Sequence, residues 1–379
     1  MNNSPKVLGV VRDSGGCGHY RIKQPWTKVV KNGLANVQLA GNGIDRVNLA
    51  DALTEADIIH MPRAGEQYVL DMMDKLKPLG RKFIIDHDDD IFNVNPFSEH
   101  YCTSGTKEVF VDVEGKNVPL WEHGKKYLMG TFDIEANQKW LEISKECMRR
   151  ADAVTVTTDR LASVFSEYND NIHVLPNCID FNVWKPQRTN EDEIRIMWSG
   201  GCSHYKDLLT ISEPLTYILQ KYNNVKFIMC GQEFSGLTKN IPKDRYEFHE
   251  WVPVAAHPYK QMLLNADIAI APVTDDVFNA SKSPVKYFES ASLGIPVLAS
   301  NRPPYSDVID NWNNGILFGD EDDFEESLDR LIVDKNLRER IGRAGMNHIK
   351  DNYCADKNAY MWANLVLSVT ENKLVTLDG

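Results

Sequence analysis

The stretch Lys185-Pro186-Gln187-Arg188-Thr189-Asn190-Glu191-Asp192-Glu193, followed by Ile194-Arg195-Ile196-Met197-Trp198 and Ser199-Gly200-Gly201, is where the chain starts over. A polar, proline-containing run closes one unit, a short apolar strand opens the next, and a glycine turn follows at once. The N-terminal end has the same order: Lys6-Val7-Leu8-Gly9-Val10-Val11, then Ser14-Gly15-Gly16-Cys17-Gly18, then a segment from about Tyr20. Apolar runs at 56–60, 82–86, 153–157 and 172–176 precede the restart, and runs at 225–230, 266–271, 295–299 and 315–318 follow it. Short β-branched runs alternating with helical stretches predict βαβ units around parallel sheets. The chain therefore reads as α/β, in two similar halves.

Bulk properties set the frame. At 379 residues the chain exceeds one typical core, and two domains of about 150–200 residues are expected. The expected boundaries are 1–187, 188–350 and a C-terminal helix within 351–379. Residues from about 91 to 150 fit the alternation poorly; with Tyr101, Trp121, Tyr127 and Trp140 among charges they read as an insertion that closes over a site or holds a substrate. A formal charge of −12 argues against wholesale adhesion to DNA or an anionic bilayer, although a local basic patch stays compatible with it. No apolar run reaches the roughly 18–20 residues that span a membrane. The N-terminus lacks signal-peptide anatomy, so a cytoplasmic location is expected. Seven scattered cysteines without a C-x-x-C pair read as buried reduced thiols rather than a disulfide frame or zinc site.

The densest chemical signal runs from Phe278 to Val297. A loop leaves the strand ending near Val273, and Pro284 suits the first turn of a helix. Free N–H groups near Ser283 and the positive helix end form an anion site, to which Lys282 adds a full charge. Lys286 and Glu289 stand at i and i+3 and can face one cleft. An ionised carboxylate there suits two ribose hydroxyls, because it accepts both hydrogen bonds. Taken alone, the pair also fits a solvated helix face.

The segment resembles the C-terminal signature of retaining GT-B glycosyltransferases of the large group with two glutamates eight positions apart. Other pieces match in order. Trp198 to Asp207, containing Ser199, Gly200, Gly201, His204 and Lys206, resembles the first C-domain strand and glycine turn, where a basic residue meets the diphosphate. His249-Glu250-Trp251-Val252 resembles the stretch that holds the nucleobase, and Gly231 ends a neighbouring strand. Tyr259 to Pro272 resembles the helix and strand leading into the donor loop, and Val174 to Asp180 the hinge. Ser281 stands where the first glutamate would be. Asn279-x-x-Lys282-Ser283-x-x-Lys286-x-x-Glu289 looks like a variant found in phage and bacterial members.

The resemblance implies two Rossmann-like domains across a cleft, with the last helix crossing back to the N-terminal domain. It implies transfer from a nucleotide-diphosphate sugar, UDP favoured over GDP, with retention and no required metal or cofactor. Lys282, Lys206 and Glu289 are then the expected catalytic residues, the first two stabilising the leaving diphosphate and Glu289 holding ribose. Asn279, Ser281, Ser283 and Lys286 are assigned to donor binding with the glycine-turn residues.

At the N-terminal domain, Gly16 and Gly18 are expected beside the donor, and Tyr20 and Arg21 against acceptor or phosphate. His60 and Arg63 follow a strand end, where ligands gather. Asp86-His87-Asp88-Asp89-Asp90 puts Asp86 and Asp88 in the cleft as acceptor contacts; its rival reading is a D-x-D metal site of the GT-A kind. The acceptor stays open among glycan, small molecule, protein and modified DNA base, with peripheral membrane association also open. The alternatives are a nucleotide-sugar epimerase of the same architecture and a catalytically silent sugar-nucleotide or glycan-binding protein.

Overall fold

The computed structural model describes residues 5–42, 44, 49–182, 193–253 and 265–370. Residues 183–192, which hold all but the last residue of the expected boundary stretch 185–193, the helix expected near Tyr259, the N-terminal tetrapeptide and the tail 371–379 lie outside the described residues.

The first sheet comprises β1 (Lys6–Val11), β2 (Asn36–Gly41), β3 (Ile58–Pro62) and β4 (Lys82–His87), with β9 (Ala153–Val156) and β10 (Ile172–Val174) beyond an excursion. Its spatial order is β10-β9-β4-β3-β1-β2, and every pairing is parallel. The second sheet comprises β11 (Ile194–Gly200), β12 (Val225–Gly231), β13 (Tyr246–Glu250), β14 (Ile268–Ala271), β15 (Val297–Ser300) and β16 (Ile316–Phe318). It is also all parallel, in the order β13-β12-β11-β14-β15-β16. Helices cover both faces, so the central strands β3, β9 and β14 are buried throughout. That is why they read as nearly continuous apolar runs, broken by His60 in β3 and Thr155 in β9, rather than as alternating ones. The order in which strands are added reverses once in each sheet, between β1 and β3 and between β11 and β14. Crevices for ligands form at the carboxyl ends of strands beside such reversals.

Between β4 and β9 the chain forms two hairpins, β5 (Phe110–Val113) with β6 (Lys116–Pro119) and β7 (Lys126–Tyr127) with β8 (Gly130–Thr131). Tyr101, Cys102, Trp121 and Phe132 give this excursion its own small core. The helix Ile134–Arg150 then completes the crossover, capped by Asp133, whose side chain accepts from the Ala136 N–H.

The last helix, Ala355–Val369, returns to the first sheet, as the resemblance implies. Trp362, Leu365, Val366 and Val369 join Val7, Ile22 and Trp26 in one buried cluster, with the two indoles edge to face at 5.4 Å. The crossing is pinned by backbone bonds Ile179 N–H to Tyr353 O (2.7 Å) and Ala355 N–H to Ile179 O (2.9 Å). Lys28, nearly buried, bridges Asp180 at 2.8 Å and Asp356 at 2.9 Å.

Arg21 fastens these parts together. It is fully buried and its guanidinium meets Asp86, at the end of β4, at 2.8 Å. It also donates to Val156 O, Asn177 Oδ1 and Leu175 O, tying two strand ends to the segment that leaves the domain. The expectation that Arg21 and Asp86 face the cleft is therefore corrected: each satisfies the other inside the domain. His60 is corrected likewise, being fully buried, with Nδ1 accepting from Trp26 Nε1 at 2.9 Å and Nε2 facing Thr155 Oγ1 at 3.3 Å. Removing one partner of a buried pair strands the other charge, which costs about 3–5 kcal/mol, whereas removing both is often near neutral. Urea unfolding should accordingly show Arg21→Met less stable by about 3–5 kcal/mol, with Arg21→Met/Asp86→Leu recovering much of the loss. A single variant as stable as the parent protein would show that the pair does not hold the domain.

Candidate functional site

The carboxyl ends of the two sheets face each other across a cleft of about 330 Å³. Its C-terminal wall starts at the turn Ser199-Gly200-Gly201, all three of which line it. Gly231 ends the neighbouring strand at φ +105°, and a Cβ there would lie 2.3 Å from Gly200 O. Only glycine permits both the backbone angle and the approach. Trp251 and Val252 complete this side, the indole half-exposed.

The short helix Val277–Ser281 is capped by Asp276, whose Oδ1 accepts from the Asn279 N–H at 2.8 Å. The chain then turns at Lys282 into the helix Val285–Ser292. Lys282, Ser283, Lys286 and Glu289 all line the cleft, so the motif's periodicity places its charged positions on one face. Asn279 and Ser281 do not line it. Asn279 is buried and donates to Asp207 Oδ1 (3.0 Å), Thr274 Oγ1 (2.9 Å) and Asp276 Oδ2 (3.0 Å), while its own Oδ1 accepts from Lys282 Nζ at 3.0 Å. Ser281 is buried too; its carbonyl accepts from Thr158 Oγ1 of the opposite domain at 3.0 Å. Their donor-contact assignments are corrected: Asn279 positions Lys282, and Ser281 joins the domains.

Lys286 is the most constrained cation of the wall. Its Nζ lies 3.1 Å from His204 Nε2, and His204 Nδ1 lies 2.7 Å from Asp207 Oδ2. Burial, and then Lys286 and Lys282, push His204 down to about 3, so the ring is neutral at pH 7. The network assigns its proton to Nδ1, donated to Asp207, leaving Nε2 to accept from Lys286. Burial opposes the charge of Asp207, but the His204 hydrogen bond and nearby Lys282 hold it at about 2. Burial, helped by Lys282, draws Lys286 down to about 8. A dry ammonium paired to a neutral ring is suited to receive an anion.

Lys206 is corrected as well. It lies outside the cleft lining, with Nζ 3.0 Å from the ring centre of Phe97 in the excursion of the other domain. The lysines that line the cleft among the described residues are Lys282 and Lys286.

From the N-terminal domain, Gly16, Cys17, Tyr20 and Asp88 reach the cleft. The Tyr20 hydroxyl donates to Glu289 Oε1 at 2.7 Å, a buried bond between the domains. Gly18 shapes the turn instead of the lining: its N–H donates to Asp13 Oδ1 at 3.1 Å, and a Cβ would lie 2.0 Å from Asp13 O. Arg63 stands behind the lining at φ +49°, an uncommon angle for a non-glycine residue. It bridges Asp88 at 2.8 Å and Asp89 at 3.1 Å. The acidic run is thereby divided, with Asp86 on Arg21, Asp88 and Asp89 on Arg63, and Asp90 accepting from the N–H groups of Phe92 and Asn93. Only Asp88 and Asp89 share a partner, and Asp86 and Asp90 are engaged elsewhere.

Sequence reasoning missed Asp89, His100, Phe278 and Tyr305 among the lining residues. Asp89 sat inside the acidic run already singled out. His100 comes from the excursion, which carries no motif; only the aromatics among charges in that segment pointed to a role for it.

The Lys286 environment makes a pH prediction. Its folded value near 8 lies below the ordinary 10.5, so between these values the unfolded chain holds more protons and stability gains with rising pH. Relative to Lys286→Met, the parent protein should gain stability as pH rises from about 8 to about 10.5, measured by denaturant titration at fixed salt. A constant difference between the two across that window would contradict the burial of the charged amine.

Comparison with known proteins bears on the same elements. Residues 181–348 match the family model described as glycosyl transferases group 1. Spore coat protein SA of Bacillus subtilis is 22% identical over 233 residues, covering 54% of this chain and 61% of that protein. The chain thus matches about three-fifths of the length of this curated relative. Among solved structures, sucrose-phosphate synthase from Thermosynechococcus elongatus superposes with a TM-score of 0.65 at 13% identity, over 97% of this chain and 99% of the other. HepE of Anabaena, in complex with UDP and glucose, gives 0.62 at 14% identity over 96% and 99%. These likenesses span both sheets and the returning helix, and they establish the GT-B fold.

Proposed function

We propose that this protein is a glycosyltransferase that takes a sugar from a nucleotide-diphosphate donor, with UDP the favoured nucleotide. The observation that carries the reading is the convergence of Lys282, Lys286, Glu289 and the Ser199-Gly200-Gly201 turn on one interdomain cleft. The family match over residues 181–348 covers all of them. A GT-B neighbour holding UDP and glucose supports the choice of nucleotide.

In this reading the diphosphate lies against Ser283, Lys282 and Lys286 at the start of the helix Val285–Ser292, where positive charge and helix N–H groups coincide. Glu289 accepts from the ribose hydroxyls, which exchange with the Tyr20 hydroxyl now bound there. Trp251 and Val252 take the base. The acceptor hydroxyl attacks the anomeric carbon on the face that the diphosphate leaves. The bond from that carbon to the phosphate oxygen breaks, its electron pair stays on the phosphate, and the hydroxyl proton passes to that oxygen. Configuration is retained without a protein nucleophile. Charge grows on the leaving phosphate, so Lys282 and Lys286 act most strongly in the transition state. The chain's own cations supply this field, and a metal is not required in the reading. Asn279 and His204 hold the two amines in place and are positioning residues.

Three outcomes test it. Calorimetric titration with UDP should show Glu289→Ala binding about 10-fold or more weakly, the scale of hydrogen bonds to a charged group. Undiminished affinity would remove the ribose assignment. Lys282→Ala should lower kcat more than it raises KM for the donor, and proportionate loss of ground-state binding alone would contradict its role. UDP affinity should fall as pH rises through about 8, where Lys286 loses its charge, and Lys286→Met should abolish that dependence.

A further inference from the structure

A second cavity, of about 530 Å³, lies between the domains on the side where the chain crosses between them. Its volume falls within the roughly 300–1,000 Å³ usual for ligand sites. It meets the cleft described above at Ser283 and Pro304, which line both. Thr157 stands at the junction too: it lines the second cavity, and its hydroxyl donates to the carbonyl of Asp88, a residue of the first. A molecule seated here would therefore extend to the edge of the donor cleft.

The lining indicates what that molecule is. Hydroxyls come from Thr157, Thr158 and Ser163, on the loop and helix that follow β9; each donates its proton within the protein, so what they offer a ligand's hydroxyls is acceptor oxygens. Apolar surface comes from the half-buried Val174 and Pro176, backed by buried Pro284, Pro304 and Phe288, the last stacked on Tyr353 at 4.2 Å and 28°. Short hydroxyls beside apolar surface complement a sugar ring, whose edge carries hydroxyls and whose faces carry C–H groups. Charge is nearly balanced. Among the described residues, Arg160 is the one cation of the lining, and it is engaged by Asp307 of the opposite domain at 3.2 Å, with Asp159 alongside. A phosphorylated or nucleic-acid ligand needs cations that are not already paired. The cavity offers it a surplus of carboxylates.

We propose that this second cavity is the acceptor site and that it takes a neutral carbohydrate, whose terminal hydroxyl passes Ser283 and Pro304 to reach the donor sugar. This rests on the glycosyltransferase reading of the first cleft and names the acceptor class for it. The Arg160–Asp307 pair links the two domains at this cavity.

Saturation-transfer NMR on the full chain with saturating UDP tests this, using maltotriose, chitotriose and mannotriose as neutral probes. A heparin tetrasaccharide and a single-stranded DNA oligonucleotide serve as anionic probes. Ser163 is exposed on its helix, so Ser163→Trp fills the cavity without disturbing the core. At least one neutral trisaccharide should give signal on the parent protein and bind at least 10-fold more weakly to Ser163→Trp, while the UDP-induced rise in melting temperature is the same in both. Absence of signal from all neutral probes, equal binding to Ser163→Trp, or preference for an anionic probe would each overturn the assignment. Failure of the glycans with the UDP shift intact removes only this site. Loss of the UDP shift in the parent protein removes the donor reading instead.

Discussion

The site depends on a positive charge kept where water is scarce. Lys286 is drawn toward deprotonation by burial, yet it is presented to the cleft by a neutral imidazole rather than neutralised by a carboxylate. Had Asp207 paired with Lys286 directly, the charge would be spent within the protein. Placing His204 between them keeps Asp207 ionised at a distance and leaves the ammonium available to an anion. The same carboxylate accepts from Asn279, which holds Lys282. One buried aspartate thus organises both cations, and much of the C-terminal wall follows from that arrangement.

The arrangement also reaches across the cleft. Asn95 Nδ2, at the start of the excursion, donates to Asp276 Oδ2 at 2.9 Å, and Asp276 accepts from Asn279. Tyr20 meets Glu289 and Thr158 meets the carbonyl of Ser281. Polar bonds of this kind are individually modest, about 0.5–1.5 kcal/mol net, and can be exchanged for bonds to a ligand. The domain faces are therefore held by contacts suited to closing on a substrate and releasing a product. By contrast, the crossing of the chain is fixed by backbone bonds at Ile179 and by the Lys28 bridges, which act as the stationary end.

Much of this was legible in the sequence. Parallel strands buried on both faces are largely apolar along their length, so β3, β4, β9 and β14 stood out despite His60, Asp86, His87 and Thr155. The glycine turn after β11 and the spacing of Lys282, Lys286 and Glu289 placed the C-terminal wall, because helical periodicity fixes which residues share a face. The N-terminal assignments fared less well for one physical reason. Arg21, His60 and Asp86 lie on or beside carboxyl strand ends, where ligands gather, but whether a side chain turns outward or inward depends on partners remote in sequence. Leu175 O, Asn177 and Thr155 claim these groups, and no local pattern encodes that claim. Lys206 failed similarly, since its partner Phe97 belongs to an excursion without motifs. His100 was missed because a lone histidine in an irregular segment carries no periodic signal.

The most direct test of the central claim is a melting-temperature panel with UDP, GDP, ADP, CDP and dTDP, each with and without Mg²⁺. A ligand that binds only the folded state raises the transition by mass action. A cleft whose field comes from Lys282 and Lys286 should respond to UDP without metal and little to the other nucleotides. No shift with any nucleotide, or a shift that appears only with Mg²⁺, would contradict a donor site built from the protein's own cations.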